Sequence, residues 1–250
     1  MARMARTKSK TGIYHIMLRG IDKRNIFLDD EDRAKFIDKL MKAKEVANFK
    51  LYGYCLMDNH VHLLLGEGEE IGTSIKRITV GYVQWHNKKY DRTGHLFQNR
   101  YMSEVVESEG YLINVLRYIH QNPVKSKMTK LAKNYWWSSY NQYLLAYQDQ
   151  NSYIDAQLIK SYYSRQNDFE VFMNTMSEEE FLEYKTVKKY SDIMIKTILQ
   201  KEYDLNRLKE ATVDERNQMI RVIYKTTGAS IRQLERVIGI GRAIIGKAIK

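Results

Sequence analysis

The chain contains almost no cysteine or proline. One residue of each occurs among 250, so neither a disulfide framework nor a cysteine-based zinc site can be built within it. Any metal must therefore be held by histidine, carboxylate or amide ligands. No stretch approaches the roughly 18 apolar residues of a membrane span, and no apolar segment follows the basic residues at the start. We expect a cytoplasmic protein without a secretory signal.

The composition is that of a globular protein with a polyanionic partner. Hydrophobic residues make up 44% of the chain and charged residues 28%, which argues against disorder. The formal net charge is +11, and a surplus of this size predicts nucleic acid as the partner more readily than an acidic small molecule. The surplus is concentrated at the ends: residues 1–28 carry seven Lys or Arg against Asp22 alone, and residues 205–250 carry ten Lys or Arg against four Asp or Glu.

No internal repeat and no Pro/Gly/Ser-rich linker divides the chain. The feature closest to a boundary is the polar run at residues 148–152. We place a boundary there, which predicts a first domain over residues 1–147. A helical connecting segment over 148–204 and a basic, all-α region over 205–250 would follow it.

Hydrophobic periodicity predicts a β-α-β-β-α-β order in the first domain, with Asp58-Asn59 as a hairpin turn. In this order an antiparallel sheet lies on two helices, so we expect a ferredoxin-like (RRM-like) α+β fold with one open sheet face. A further helix should be ended by Pro123. The predicted elements are a strand at 12–19, a helix from 29, strands at 49–57 and 60–65, a helix at 71–89, a strand within 99–106 and a helix at 108–121.

Two histidines alternate in the second hairpin strand. Because successive side chains of a strand point to opposite faces, His60 and His62 share one face at roughly 7 Å along the backbone. Both imidazoles could then reach one cation. The spacing fits equally a surface histidine beside a buried, satisfied one, so the pair alone leaves both interpretations open.

A tyrosine and an amide lie four residues apart on the helix that precedes Pro123. Tyr118 and Asn122 are therefore neighbours on one helix face. The chain has nineteen tyrosines, most of which must be packing residues, and Asn before Pro is an ordinary way to end a helix. A nucleophilic role for Tyr118 does not follow from this spacing alone.

Taken together, these residues resemble a known family. Five motifs occur in order between about residues 8 and 145, and they resemble the IS200-type single-tyrosine (Y1, HUH) transposases. Within that family they are most similar to the branch associated with repetitive extragenic palindromes, or REPs. The motifs are Tyr14-His15-Ile16 with Arg19-Gly20 and Asn25-Ile26-Phe27, then Tyr54–Asn59, His60–His62, His95–Tyr101 and Arg117–Val124.

The resemblance implies a nuclease and strand transferase that acts on single-stranded DNA, here hairpin or palindromic DNA. It implies Tyr118 as the nucleophile, a 5′-phosphotyrosine intermediate, and Mg²⁺ or Mn²⁺ held by His60, His62 and Asn122. Minimal transposases of this kind have Gln where Asn122 stands, so Gln121 is a competing ligand. The resemblance also implies a nucleoid-associated protein that acts as a monomer or homodimer. This chain is longer than a minimal transposase, which makes a domesticated chromosomal enzyme plausible.

Single-stranded DNA binding pairs cations with stacking rings. The first domain offers the candidate cations Arg19, Lys23, Arg24, Arg100, Lys125 and Lys127. The candidate rings are Tyr14, Trp85, Phe97, Tyr101, Trp136 and Trp137. The alternative is that the rings belong to the core and the cations to a solvated rim.

The last residues show a helix-turn-helix pattern. Ser230 can cap one helix that ends at Gly239, and a second helix should span Arg242–Lys250. Inward positions of the second helix are Ile244, Ile245 and Ala248. Candidate DNA contacts are Arg232, Arg236, Arg242 and Lys247. A small helical bundle with a solvated basic face is the alternative.

Two other functions remain open at this stage. One is a catalytically inactive, domesticated DNA-binding regulator. The other is an RNA-binding ferredoxin-like domain in which Tyr14 and Tyr54 stack bases. The RNA-binding hypothesis leaves the histidine pair unexplained. The presence of His60, His62, Tyr118 and Asn122 together favours an active enzyme, because an inactive copy is free to lose any of them.

Overall fold

A computed structural model describes residues 6–176, 181–182, 191–202, 208 and 211–249. A four-stranded antiparallel sheet forms the centre of the first part of the chain. Its strands are β1 (Ile13–Arg19), β2 (Lys50–Met57), β3 (His60–Gly66) and β4 (Met102–Val105), in the spatial order β2-β3-β1-β4. The hairpin predicted at Asp58-Asn59 joins β2 to β3.

Two helices connect the strands and pack together. α1 (Asp30–Ala47) follows β1, and α2 (Ile71–Lys89) follows β3. The α1 helix begins at a capping box in which Asp29 accepts a hydrogen bond from the backbone N–H of Asp32. The rings of Phe36 and Tyr82 meet edge to face at 5.2 Å between centroids, which joins α1 to α2. The predicted β-α-β-β-α-β order is present.

A third long helix covers part of the opposite sheet face. α3 (Glu109–Lys125) is capped by Ser108 and packs against β2. Gly53 permits this close approach, because a Cβ there would lie 2.5 Å from Cδ1 of Leu116. The expectation of an open sheet face was therefore wrong where α3 lies. The apolar stripe of α3, including Leu112, Leu116 and Ile119, is buried.

Pro123 does not end α3, contrary to the prediction from the sequence. The helix continues to Lys125, with Pro123 inside its last turn. The carbonyls of Asn122 and Pro123 accept hydrogen bonds from the backbone N–H groups of Ser126 and Met128. So close to the helix end, the missing proline N–H removes one hydrogen bond and does not break the helix.

Contacts divide the chain into two compact units, residues 1–183 and 184–250. The predicted boundary at 148 does not coincide with this division. Three further helices, α4 (Tyr140–Tyr147), α5 (Gln157–Tyr162) and α6 (Gln166–Asn174), belong to the first unit. Ile159, Phe169 and Met173 are fully buried in its core. The polar run at 148–152 is thus a loop within the first unit.

The second unit is helical and has its own core. Its described helices are α7 (Asp192–Glu202), α8 (Val213–Thr227), α9 (Ile231–Ile238) and α10 (Arg242–Ala248). Ser230 caps α9 in a capping box, and Gly239 ends it with a φ of 72°. Ile245 and Ala248 are buried as predicted, whereas Ile244 is 40% exposed, which corrects its predicted inward position. No helix among the described residues is long and apolar enough to cross a membrane.

Candidate active site

Strand β3 places His60 and His62 on the sheet face that α3 covers. Their ring centroids are 5.0 Å apart and the rings are nearly perpendicular. The register aligns His62 with Met17 of β1 and Cys55 of β2, so all three side chains lie on the same face. His62 is fully buried and His60 is partly exposed. The alternation that the sequence predicted is present.

Helix α3 places Tyr118 beside these histidines. The phenol ring lies 5.6 Å from the ring of His62 between centroids, almost perpendicular to it. It also lies 5.9 Å from the ring of His15. Tyr118 is only 2% exposed. The structure thus brings a histidine pair and a phenol together from residues 58 positions apart in the chain.

Asn122 lies one helical turn after Tyr118 and is largely buried. Its Nδ2 donates to the backbone carbonyl of Tyr118 at 2.9 Å. The amide nitrogen is therefore occupied within the helix. The side-chain oxygen is the atom of Asn122 with the chemistry to bind a cation.

The neighbouring residues His120 and Gln121 make contacts to other parts of the first unit. The amide nitrogen of Gln121 donates to the carbonyls of Met173 and Thr175, at 3.0 and 2.6 Å, and so fastens the end of α6 to α3. Nε2 of His120 lies 2.8 Å from the hydroxyl of Ser139. Burial lowers the pKa of His120 to about 3. The amide nitrogen of Gln121 therefore anchors α6, whereas its buried side-chain oxygen has no hydrogen-bond partner among the described residues.

A third histidine, to which the sequence analysis assigned no role, contacts His62 directly. Nε2 of His15 lies 3.0 Å from Nδ1 of His62, and the two rings are inclined by 28°. On the other side of His15, Nδ1 lies 3.5 Å from Oε2 of Glu104 in β4. His15 is fully buried. The sequence showed His15 within the Tyr14-His15-Ile16 motif. Its contact with His62 could not be predicted, because that contact depends on the register of β1 with β3.

The rings of the two candidate metal ligands, His60 and His62, each make a hydrogen bond through Nδ1. Nδ1 of His60 lies 2.7 Å from the side-chain oxygen of Asn59, and Nδ1 of His62 contacts His15. Nε2 of His62 is buried and has no hydrogen-bond partner among the described residues. A buried polar nitrogen without a partner costs free energy, and coordination of a cation would remove that cost.

The donor set fits a divalent cation with an incomplete protein shell. Within the described part of the chain, no cluster of three His, Cys, Asp or Glu residues could hold a metal. A cation bound by His60 and His62 would need its remaining ligands from an amide oxygen, from water or from substrate oxygens. Such an open shell is typical of catalytic metal sites, whereas structural sites are closed.

The electrostatics keep the site in the state that metal binding requires. Burial lowers the pKa of His62 well below its ordinary value, and His60 and His15 act in the same direction. A neutral imidazole is the form that binds metals. Burial favours a raised pKa for Glu104, but contacts from His15, Tyr111 and the Leu182 backbone outweigh it. The pKa of Glu104 is therefore below its ordinary value, and this group is a carboxylate at neutral pH.

Two residues lie over the face of Tyr118. The ring of Phe181 is 4.8 Å from the phenol ring between centroids. Nζ of Lys125 lies 5.1 Å from the same ring. Phe181 was not among the residues singled out from the sequence, since no local pattern links position 181 to position 118. These contacts account for the low exposure of Tyr118.

Most of the predicted DNA-contact residues are exposed. Some of them form ion pairs with carboxylates of the same unit. In the first unit Arg19 is partly buried, and the exposed cations are Lys23, Arg24, Arg100, Lys125 and Lys127. In the second unit all four are exposed, but Arg236 pairs with Asp192 at 2.7 Å and Arg242 with Glu235 at 2.9 Å. Lys247 and Arg232 make no ion pair within the described part of the chain.

The candidate stacking rings divide between surface and core. Trp136 is 75% exposed, whereas Tyr14 is 2% exposed and Tyr54 is 3% exposed. The hydroxyl of Tyr54 meets that of Tyr153 at 2.5 Å. The RNA-binding alternative, which needs Tyr14 and Tyr54 at the surface, therefore fails on burial. Tyr101 stacks under the guanidinium of Arg6, whose Cζ is 3.6 Å from the ring centroid.

The sequence of this site matches a known family. Residues 8–122 match the family described as "Transposase IS200 like". This segment is therefore similar to the IS200-like transposases. The match contains all of the strands, the histidine pair and Tyr118, and it ends at Asn122. The residues of the candidate site therefore lie within the segment that matches this family.

One curated protein and two solved structures are also similar to part of this chain. A Haemophilus influenzae protein named as a REP-associated tyrosine transposase is 24% identical over 155 residues, which cover 57% of this chain and 87% of that protein. A solved REP-associated tyrosine transposase bound to a REP hairpin has 16% identity and a TM-score of 0.49, over 58% of this chain and 86% of that one. A crystal structure described as a transposase from Deinococcus radiodurans has 20% identity and a TM-score of 0.34, over 48% and 97%.

Proposed function

We propose that this IS200-like transposase is a metal-dependent single-stranded DNA endonuclease and strand transferase with Tyr118 as its nucleophile. One observation supports this most strongly. The rings of His60, His62 and Tyr118 meet on one sheet face, with successive centroid distances of 5.0 and 5.6 Å, inside the segment that carries the family match. A histidine pair beside a phenol supplies both parts of a phosphodiester cleavage site.

The phenol is the group that attacks phosphorus. A tyrosine hydroxyl has a pKa near 10 in water, so its oxygen must lose a proton as the bond to phosphorus forms. The bond from phosphorus to the 3′-oxygen breaks, and that oxygen takes a proton. The products are a 5′-phosphotyrosine and a free 3′-hydroxyl. A second 3′-hydroxyl can reverse the step and rejoin DNA without ATP, since the tyrosyl ester preserves the phosphodiester bond energy.

The residues that would hold the metal are His60 and His62 through Nε2, with the side-chain oxygen of Asn122 as the third ligand. When bound there, Mg²⁺ or Mn²⁺ supplies positive charge to the non-bridging phosphate oxygens. Neutral ligands leave that charge undiminished, whereas carboxylates would reduce it. Imidazole ligands fit Mn²⁺ better, and cellular abundance favours Mg²⁺.

The second unit supports a DNA-binding role, and we propose it as a helix-turn-helix that contacts a hairpin stem. α9 and α10 are joined by Gly239-Ile240-Gly241, and Arg232 and Lys247 are exposed on them. In the first unit, the observed β-α-β-β-α-β order with sheet order β2-β3-β1-β4 supports a ferredoxin-like core. Palindromic DNA is the proposed substrate, and the protein would act as a monomer or homodimer.

One observation favours a second candidate function. Tyr118 is 2% exposed, with Phe181 over its ring. A chain in which the phenol never became accessible would bind hairpin DNA without cutting it. It would then be the catalytically inactive regulator considered above.

The two functions are separated by one experiment. The full chain is incubated with single-stranded hairpin DNA and Mg²⁺ or Mn²⁺, and the products are analysed on a denaturing gel for a covalent protein–DNA adduct. An adduct that requires the metal supports the transposase. Tight binding with no adduct in either metal would favour the regulator.

A further inference from the structure

We propose that His15 is a positioning residue that sets the tautomer of His62, and that Glu104 sets the orientation of His15. This inference rests on the proposed function, because it takes His62 as a metal ligand through Nε2. The relevant groups form a row on one sheet face. Glu104 lies on β4, His15 on β1 and His62 on β3.

The distances define a chain of contacts. Nδ1 of His62 is 3.0 Å from Nε2 of His15, a normal hydrogen-bond length between two ring nitrogens. Nδ1 of His15 is 3.5 Å from Oε2 of Glu104, which is in the range of an ion pair. Both histidines are fully buried, so water does not compete for these nitrogens. One proton must lie between the two rings, on one nitrogen or the other.

Glu104 decides which nitrogen carries that proton. If His15 donated from Nε2, its Nδ1 would be a bare lone pair facing the Glu104 carboxylate, which is repulsive. If His15 instead carries its proton on Nδ1, that N–H points at the carboxylate and Nε2 becomes an acceptor. His62 must then donate from Nδ1. The second arrangement makes the hydrogen bond between the two rings and places an N–H, instead of a lone pair, against the Glu104 carboxylate at 3.5 Å.

The consequence lies at the other nitrogen of His62. A neutral imidazole with its proton on Nδ1 has an unprotonated Nε2, which is the form that coordinates a metal. Nε2 of His62 is also the buried nitrogen that lacks a hydrogen-bond partner among the described residues. A carboxylate and a histidine behind a ligating histidine fix both its tautomer and its ring orientation.

His15 is not itself a metal ligand in this arrangement, because the hydrogen bond to His62 occupies its Nε2. Its ring also lies 5.9 Å from that of Tyr118 between centroids. A purely structural role would require only the ring's volume and these packing contacts. The proposal requires the acceptor at Nε2, which provides a way to separate the two roles.

The experiment compares three variants of the full chain with wild type. His15→Leu keeps apolar volume but removes the acceptor. His15→Gln keeps an acceptor, since its side-chain oxygen can reach the position of Nε2. Glu104→Met removes the carboxylate at a half-buried position and provides a second test if His15→Leu does not fold. Circular dichroism confirms folding in each case.

Two readouts are measured, neither of which is activity. Mn²⁺ affinity is measured by calorimetry. The protonation of the His62 ring is measured in metal-free protein by long-range ¹H–¹⁵N correlation of ¹⁵N-histidine, with His62 identified by the loss of its signals in His62→Gln. Wild type should show a protonated Nδ1 and an unprotonated Nε2 on His62.

His15→Leu should weaken Mn²⁺ binding by about 10- to 100-fold, the usual effect of removing a partner behind a metal ligand. It should also move the His62 proton toward Nε2. His15→Gln should restore the wild-type tautomer and bind Mn²⁺ within about tenfold of wild type. Glu104→Met should shift the tautomer in the same direction as His15→Leu, to a smaller extent.

Two results would overturn the proposal. One is wild-type His62 with its proton on Nε2. The other is a folded His15→Leu, or Glu104→Met where His15→Leu does not fold, with unchanged tautomer and Mn²⁺ affinity. If wild type showed the expected tautomer but bound no Mn²⁺, the metal-dependent function would fail while the hydrogen-bond chain stood. The two failures are therefore distinguishable.

Discussion

The two units differ in the side chains that they carry. All six histidines of the chain lie within residues 1–183, and so do its three tryptophans and its cysteine. The second unit has no histidine, and residues 205–250 carry a net positive charge from ten Lys or Arg against four Asp or Glu. Imidazole ligands for a metal are therefore confined to the first unit, and a large share of the cationic surplus lies in the second.

This difference indicates a division of work. The first unit buries polar groups against a sheet, where a hydrogen bond and an ion-pair contact link the row from Glu104 to His62. The second unit carries exposed cations on two short helices. Buried, fixed groups suit chemistry at one atom, whereas exposed cations suit contacts with a phosphate backbone. Substitutions at the candidate site in the first unit should therefore leave DNA binding unchanged. Substitutions of the exposed cations in the second unit should leave the cleavage chemistry unchanged.

The largest effect should come from the proposed nucleophile, Tyr118. Tyr118→Phe keeps the ring and its contacts with His62 and Phe181 but removes the attacking oxygen. We expect the covalent DNA adduct to fall below detection on a denaturing gel, with hairpin affinity and thermal stability close to wild type. Tyr162→Phe, at an exposed position of the first unit, is the control and should still form the adduct. Retained cleavage in Tyr118→Phe would mean that water or another tyrosine, Tyr111 or Tyr101, is the nucleophile.

The second largest effect should come from a proposed metal ligand. His60→Ala should lower the cleavage rate by at least about 100-fold, since loss of the ligand weakens the charge at the phosphate. DNA binding, measured by gel shift, should change little because phosphate contacts elsewhere dominate affinity. His95→Ala, at an exposed position, is the control. An equal loss of binding and cleavage would indicate misfolding and not a lost ligand.

The next prediction tests the second unit, where the ion pairs provide a matched control. Arg232→Gln with Lys247→Gln should lower the slope of log affinity against log salt by about 2, because each phosphate contact contributes about 0.9. Arg236→Gln with Arg242→Gln should lower it less, since Asp192 and Glu235 already neutralise these cations in part. Equal slopes in all three proteins would favour the helical-bundle alternative with a solvated basic face.

A smaller effect is expected at the residue that covers the nucleophile. Phe181→Ala removes the ring that lies 4.8 Å from Tyr118, so the phenol should be more accessible to DNA. We expect the adduct to form several times faster at limiting DNA, with the yield at saturation less affected. The measurement is the initial rate of adduct formation, with Phe172→Ala as a control on the same unit. An unchanged rate would mean that Phe181 does not limit access.

Local patterns in the sequence were sufficient for several parts of this fold. Alternation placed His60 and His62 on one face, and helical spacing placed Tyr118 and Asn122 one turn apart. The caps at Asp29, Ser108 and Ser230 follow from side chains near their own helix ends. Each of these features depends on residues within a few positions of one another.

The features that were missed depend on distant residues. The contact of His15 with His62 requires the register of β1 against β3, which no short segment encodes. Phe181 reaches Tyr118 across 63 positions of the chain. The boundary at 148 failed because Ile159 and Phe169 complete the first core, and a polar loop resembles a linker in sequence. Pro123 remains inside α3 because it lies in the last turn of the helix.

The smallest effect should be on the pH dependence of the first unit's stability, through His86. This histidine is buried against Tyr82 and Tyr90, and neither ring nitrogen has a hydrogen-bond partner among the described residues. Burial lowers the pKa of His86 most, Asp32 opposes this, and Arg92 adds to it. In the unfolded chain its pKa should be about 6.5.

The sign of the pH effect follows from that difference. Above about pH 6.5 His86 is neutral in both states. As the pH falls below that value, His86 becomes protonated in the unfolded chain but stays neutral in the folded chain, because its pKa is lower there. The free energy of unfolding therefore decreases. His86→Phe keeps an aromatic ring without the titration. The wild-type free energy of unfolding should therefore fall relative to the variant between pH 7.5 and 5, by at most about 1.4 kcal/mol per pH unit.

Denaturant titration followed by tryptophan fluorescence measures the stability of the first unit alone, because Trp85, Trp136 and Trp137 all lie within it. Parallel pH profiles for the two proteins would show that His86 takes up its proton equally in the folded and unfolded states.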